Sequence, residues 1–149
     1  MLPFRDFLLE DETLTDDPPV PPKLNSWGFH MLIDMSSCNK KMDDEDDVRA
    51  FFDVLIQILD MKKLSSITIK RVDSEEGRGL SAVQLITTSS ITFHGDDVNK
   101  CVYLDVFSCK DFDRPKVLSL VQKYFTPKRI SHKFIYRDAG PAASEDGAN

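Results

Sequence analysis

Two runs of apolar residues at helical spacing, set among six stretches that alternate with period two, constrain this chain more than any other feature. From Asp44 to Met61 the residues Val48, Phe51, Phe52, Leu55, Ile58 and Leu59 recur three and four apart, the stripe of a helix that buries one side. A second helix is predicted from Arg114 to Phe125, with Asp113 as N-cap and Pro115 in the first turn, where a missing N–H costs little. Strands are predicted over Ser26 to Met35, Ser65 to Val72, Leu80 to Thr87, residues 89 to 94, residues 101 to 108, and Arg129 to Arg137. The glycines of DSEEGRG permit the positive φ that a turn between the second and third strands can need. The resulting order predicts a two-layer α+β domain, an antiparallel or mixed sheet with both helices on one face. The other face, expected to carry Met31, Ile33, Val83 and Leu85, would need a cover.

Composition narrows the class. A chain of 149 residues is long enough for one core without disulfides or metals. Three cysteines, Cys38, Cys101 and Cys109, are odd in number and lack CxxC spacing, which fits a reducing compartment and a cytoplasmic protein. There is no apolar run of membrane-spanning length and no basic-then-apolar start, so neither a membrane nor a secretory role is expected. The formal charge of -6, with acids grouped in DETLTDD, DDEDD and GDD, excludes a broad electrostatic hold on nucleic acid. DDEDD reads as a helix N-terminus, where carboxylates meet the positive end of the dipole. No histidine or cysteine lies near it at ligand spacing, and no metal site is expected. Residues 1 to 24, with DDPPVPP, read as an extended acidic arm, and residues 139 to 149 as a disordered tail. The apolar start of the arm, LPFRDFLL, could alternatively dock on a partner subunit.

The chemistry-bearing residues concentrate between Ser81 and Cys109. Alternation through SSITFH places Ser90, Thr92 and His94 on one face and Ser89, Ile91 and Phe93 on the other. Taken singly, Ser89, His94 and Cys109 have ordinary explanations as a surface serine, a turn histidine and a small core residue. Their spacing is distinctive: Ser81 stands eight before Ser89, His94 five after it, and Cys109 fifteen after His94 within LDVFSC.

This pattern resembles the bacterial and archaeal S-adenosylmethionine decarboxylases. That family carries a Glu-Ser-His-x-x-x-His block, a cysteine fifteen residues on in an acid-Val/Leu-Phe-Thr-Cys context, and a serine eight before the block's own in a Gly-Val-Ser-Gly turn. WGFHMLIDMSSC resembles its opening strand and PKRISHKFIYR its closing one, so the likeness spans roughly residues 25 to 138. The resemblance implies an α+β decarboxylase-like domain, an uncut proenzyme, and a homodimer or larger assembly with its site at the subunit boundary. It also implies a carboxy-lyase of polyamine and spermidine synthesis.

Decarboxylation of an amino acid leaves a carbanion at Cα, which needs an electron sink joined to the amine, usually as a Schiff base. By resemblance that sink is a pyruvoyl group made from Ser89 itself. The Ser89 hydroxyl attacks the Thr88 carbonyl, the amide becomes an ester, and β-elimination followed by hydrolysis leaves a ketone at the new terminus. Ser81 then assists processing, His94 takes part in the elimination, and Cys109 protonates the product carbanion. An ordinary thiol pKa of about 8.5 leaves that proton available at neutral pH. Ser90 competes for the nucleophile's role, but it occupies the family's first-histidine position. The eukaryotic branch also shows two serines with the first cleaved, so Ser89 keeps the assignment.

Three departures bear on activity. Thr88 replaces the usual glutamate before the cleavage serine. Val98 replaces the glutamate that grips the ribose of the substrate. Glu75 replaces the phenylalanine that stacks on adenine. The acids Glu75, Glu76, Asp96 and Asp97 would suit a cationic tail. The alternatives to S-adenosylmethionine are therefore arginine, ornithine or lysine as substrate, and a noncatalytic relative acting as a partner subunit.

Overall fold

The computed structural model describes residues 27–139; the arm expected over residues 1–24 and residues 140–149 of the expected tail lie outside the described residues. Six strands and two helices follow in the expected order: β1 (Gly28–Ser36), α1 (Glu45–Ile58), β2 (Thr68–Ser74), β3 (Gly77–Ile86), β4 (Ser89–Asp96), β5 (Cys101–Ser108), α2 (Arg114–Phe125) and β6 (Arg129–Arg137). A short 3-10 turn, Lys40–Asp43, leads into α1. All six strands form one sheet in the order β2-β3-β4-β5-β1-β6. Every neighbouring pair is antiparallel.

Capping explains where the helices begin. The Asp44 side chain accepts from the Asp47 N–H at 2.9 Å, so DDEDD caps and charges the start of α1 as the sequence suggests. Asp113 does the same for α2, accepting from Lys116 N–H at 3.0 Å, with Pro115 in the first turn. The second helix stops at Thr126, whose left-handed backbone (φ 44) closes the C-terminus.

Both helices bury their stripes against one face of the sheet. Phe51 of α1 meets Phe125 of α2 with ring centroids 4.7 Å apart, and Phe125 meets Phe93 of β4 at 5.8 Å, so three elements share one aromatic contact. Removing one such ring from a packed core costs about 3–5 kcal/mol. That is of the order of a third of a small domain's stability.

The face assignment differs from expectation at two positions. Met31 and Ile33 are fully buried beneath the helices; Val83 (43% exposed) and Leu85 (50% exposed) do lie on the open face. The reason is the position of β1 between β5 and β6: its odd residues share the helix side with Leu104 and Val106, and its even residues His30, Leu32 and Asp34 turn the other way. On the open face Tyr103 and Ile135 join Val83 and Leu85 as large exposed apolar side chains, so an unpartnered apolar surface remains.

At one place the sheet admits only glycine. Gly79 has φ 147, and a Cβ there would lie 2.0 Å from the carbonyl oxygen of Gly95. The β2–β3 hairpin, with Ser74 paired to Gly77, closes with a two-residue loop, Glu75–Glu76, tighter than the seven-residue turn read from DSEEGRG.

Candidate active site

The β3–β4 hairpin carries the candidate cleavage bond at its tip. Ile86 pairs with Ser89, leaving Thr87 and Thr88 as a two-residue turn. Ser89 is buried on the helix side, as alternation predicts, while Ser90, Thr92 and His94 turn to the open face. The Ser89 Oγ accepts from the Cys109 N–H at 2.8 Å, because β5 ends beside the start of β4. The Cys109 thiol lies 3.7 Å from the Thr87 carbonyl oxygen. Serine and cysteine, twenty residues apart in sequence, therefore meet at the same turn.

The Cys109 thiol is held below the ordinary thiol range, chiefly by the Thr88 hydroxyl, with Ser89, its own backbone N–H and Lys110 acting in the same direction against partial burial. Cys38 goes the other way: burial, together with Cys101, pushes it up to about 11. The sign gives a test. Lowering a thiol pKa raises the thiolate fraction at a given pH, so in uncut protein at pH 7 to 8 iodoacetamide should label Cys109 before Cys38. The Cys109 rate should fall as pH is lowered through its pKa. Peptide mass mapping after brief alkylation reads the order, and equal labelling of Cys38 and Cys109 would contradict this arrangement.

Ser81 and His94 form a second group. They face each other across β3 and β4, with Ser81 Oγ and His94 Nδ1 2.9 Å apart. Five residues of strand, about 16 Å, separate this pair from Ser89. His94 also lies on the opposite face from Ser89. The four residues picked out by spacing thus fall into two pairs at opposite ends of one hairpin.

Glu75, Asp96 and Asp97 lie beyond the Ser81–His94 end of the hairpin, in separate loops and turns. Glu75 is exposed in the β2–β3 loop, and Val98 is 70% exposed in the β4–β5 turn. Asp96 accepts from the backbone N–H groups of Val98 and Asn99 and from the Asn99 side chain, so it closes its own turn. The Asn99 amide leads in holding its carboxyl below the usual range. Asp97 accepts from Arg71 Nη1 at 3.0 Å, and the Asp43 carboxylate accepts from Arg71 Nη2 at 2.7 Å. Burial pushes both carboxyls up. At Asp43 the hydrogen bonds with Arg71 and Asp97 and the charges of Arg71 and Lys100 together outweigh it and the carboxyl ends low, whereas Asp97, facing Asp43, ends high. Arg71 thus already balances this pair, and its part was not legible in the sequence, where it is one basic residue of an alternating strand.

A third group was likewise not legible. On the open face near the Ser89 end, His30 Nε2 lies 3.1 Å from Asp105 Oδ1, and Arg137 Nη1 lies 3.3 Å from His30 Nδ1. Arginine can only donate, so Nδ1 accepts and Nε2 carries the hydrogen toward Asp105. Only the cross-strand register of β1 with β5 and β6 brings these residues together. Cys101 donates weakly to the Asn99 carbonyl, and no group of metal-ligating side chains occurs among the described residues. No helix among them is long and apolar enough to cross a membrane.

Known proteins resemble this chain over most of its length. A profile of the S-adenosylmethionine decarboxylase family matches residues 29–138. The chain is 27% identical over 112 residues to an S-adenosylmethionine decarboxylase proenzyme of Clostridium botulinum, covering 74% of this chain and 93% of that protein. It is 27% identical over 120 residues to a proenzyme of the same description from Sulfurihydrogenibium sp., covering 79% and 87%. Its fold matches the crystal structure of the adenosylmethionine decarboxylase from Aquifex aeolicus VF5 with a TM-score of 0.64 at 21% identity, over 80% of this chain and 97% of that one. With the family match running from β1 through β6, the chain belongs to the S-adenosylmethionine decarboxylase family.

Proposed function

We propose that this chain is a proenzyme that cuts itself between Thr88 and Ser89 and, once cut, decarboxylates S-adenosylmethionine as a carboxy-lyase of polyamine synthesis. The observation that carries this reading is the β3–β4 turn, where the Ser89 hydroxyl lies beside the Thr88 peptide and is held by the Cys109 N–H at 2.8 Å. In the first step the Ser89 oxygen bonds to the Thr88 carbonyl carbon, the C–N bond breaks, and the hydroxyl proton passes to the Ser89 nitrogen. His94 then takes the Ser89 Cα proton as the Cβ–O bond breaks and frees the Thr88 carboxylate; water hydrolyses the remaining imine and releases ammonia. The site fits a pyruvoyl group because its source, Ser89, is already enclosed by the Cys109 backbone and thiol; such a group supplies a ketone that serves as the electron sink for decarboxylation. The Cys109 thiol would return a proton to the product.

The 16 Å between the two pairs gives the assembly its role. One protomer cannot bring Ser81 and His94 to its own Ser89. A two-fold pairing of open faces lays one end of the hairpin over the other end of its partner, so each copy completes the other's site. The apolar side chains Val83, Leu85 and Tyr103 would be covered by the same contact.

The relatives' activity supports S-adenosylmethionine as substrate. The engagement of Asp96 and Asp97 weighs against a cationic tail held by those two acids. Val98 and Glu75 still lack the ribose and adenine contacts. One hydrogen bond and one aromatic stack together contribute on the order of 2–4 kcal/mol, about a hundredfold in affinity at mid-range. Carbon dioxide release measured in parallel with S-adenosylmethionine, arginine, ornithine and lysine should show turnover of S-adenosylmethionine with a Michaelis constant raised about a hundredfold over a site that keeps both contacts, and none with a Cys109→Ala control. Turnover of a basic amino acid without S-adenosylmethionine turnover would overturn the substrate assignment.

A further inference from the structure

The residue before Ser89 has an unusual backbone. Thr88 has φ 53, in the left-handed region that β-branched side chains rarely enter. Other positive-φ residues have ordinary settings: Thr126 is the C-cap of α2, and Lys100 sits in the β4–β5 turn. Thr88 is different because it supplies the carbonyl of the bond to be cut.

The hairpin imposes this conformation. Ile86 and Ser89 are paired, so only Thr87 and Thr88 are left to reverse the chain. Two-residue turns of this kind commonly take glycine or asparagine where φ is positive, because these meet the geometry at little cost. Here the turn is closed by a threonine. The cost is of the size usual for a strained residue held by its surroundings, and the flanking ladder of β3 with β4 and β5 does the holding. The Thr88 hydroxyl donates to the Thr87 carbonyl at 2.9 Å, a local bond that does not alter the backbone requirement.

We propose that Thr88 is a positioning residue for self-cleavage: its left-handed backbone strains the scissile turn, and the strain is released as the Thr88–Ser89 amide becomes an ester. The covalent path explains the release. From the Thr88 carbonyl carbon to the Ser89 Cα, the amide route passes through one atom, the nitrogen. The ester route passes through two, Oγ and Cβ. Oxygen–carbon bond formation with loss of the C–N bond therefore lengthens the tightest point of the hairpin by one atom. No oxidant or further reactant enters this step; the hydroxyl proton moves to the departing nitrogen.

The inference rests on the self-cleavage reading, and the test separates the two. Thr88→Gly and Thr88→Asn remove the strain, whereas Thr88→Val keeps β-branching and removes the hydroxyl. Followed by intact mass from freshly purified protein, the first-order cleavage rate should fall about tenfold in Thr88→Gly and Thr88→Asn and by much less in Thr88→Val. In a Ser89→Ala background, which cannot cut, Thr88→Gly and Thr88→Asn should raise the melting temperature by about 3 °C. A merely structural role would lower rate and stability together; strain moves them in opposite directions. Cleavage of wild type with unchanged rates in Thr88→Gly and Thr88→Asn, a slow Thr88→Val, or no rise in melting temperature overturns the role of Thr88 alone. A wild type that stays intact overturns the self-cleavage reading and this role with it.

Discussion

Replacing Ser89 by alanine should convert a protein that divides into two pieces into one that stays whole. Intact-mass measurement of purified wild type is expected to show fragments of residues 1–88 and 89–149, the second beginning in a pyruvoyl group. Ser89→Ala should give only the full-length mass, because alanine lacks the hydroxyl that the Cys109 N–H holds and that would attack the Thr88 carbonyl. The variant should still fold: it loses one hydrogen bond to the Cys109 N–H, a change of about 1 kcal/mol. Ser90 offers the internal control. It lies on the opposite face of β4, so Ser90→Ala should cut at the original position. Full-length wild type after prolonged incubation would place the chain with noncatalytic relatives.

Two variants that are each dead should restore activity together. Ser89→Ala lacks the cut residue and His94→Ala lacks the base, and in one protomer these lie about 16 Å apart along the strand. If each site draws Ser89 from one copy and His94 from the other, a mixed dimer keeps one intact site and concentrates both defects in the second. Random pairing on co-expression makes half the dimers mixed, so about a quarter of wild-type decarboxylation should return. Sedimentation of the purified mixture should show a dimer or larger body. Complete absence of activity in the mixture, with both chains folded and assembled, would mean that the two pairs serve one protomer or no site at all.

Elements whose ends are set by local chemistry were legible in the sequence. The predicted limits of α2, β5 and β6 coincide with the observed ones, because Asp113, Pro115 and clean alternation act within a few residues of each boundary. The second strand was placed three residues early: SSIT alternates like a strand, yet Leu64 and Ser65 bond to the Leu85 carbonyl as a loop laid beside β3. What local chemistry could not reveal was the insertion of β1 between β5 and β6, and Met31 and Ile33 were given the wrong face for that reason. The site divides similarly. Family spacing picked out Ser81, Ser89, His94 and Cys109 as candidates. The backbone of Thr88, the hold of Arg71 on Asp97 and the His30–Asp105–Arg137 group arise from pairing between distant strands, and no spacing encodes them.

The place of β1 also bears on what the cut does to the molecule. Strands β1, β2 and β3 precede the Thr88–Ser89 bond and β4, β5 and β6 follow it, yet β1 is bonded on both sides to strands from beyond it. The two products would be interleaved rather than joined at a seam, and neither could leave without breaking the pairing of β1 with both β5 and β6. Scission would therefore remove a covalent link without dividing the body. Threading β1 into its slot while the chain is continuous would make the cut a finishing step of a completed fold. The two new ends, a carboxylate and a ketone, would remain side by side at the rim where both were made.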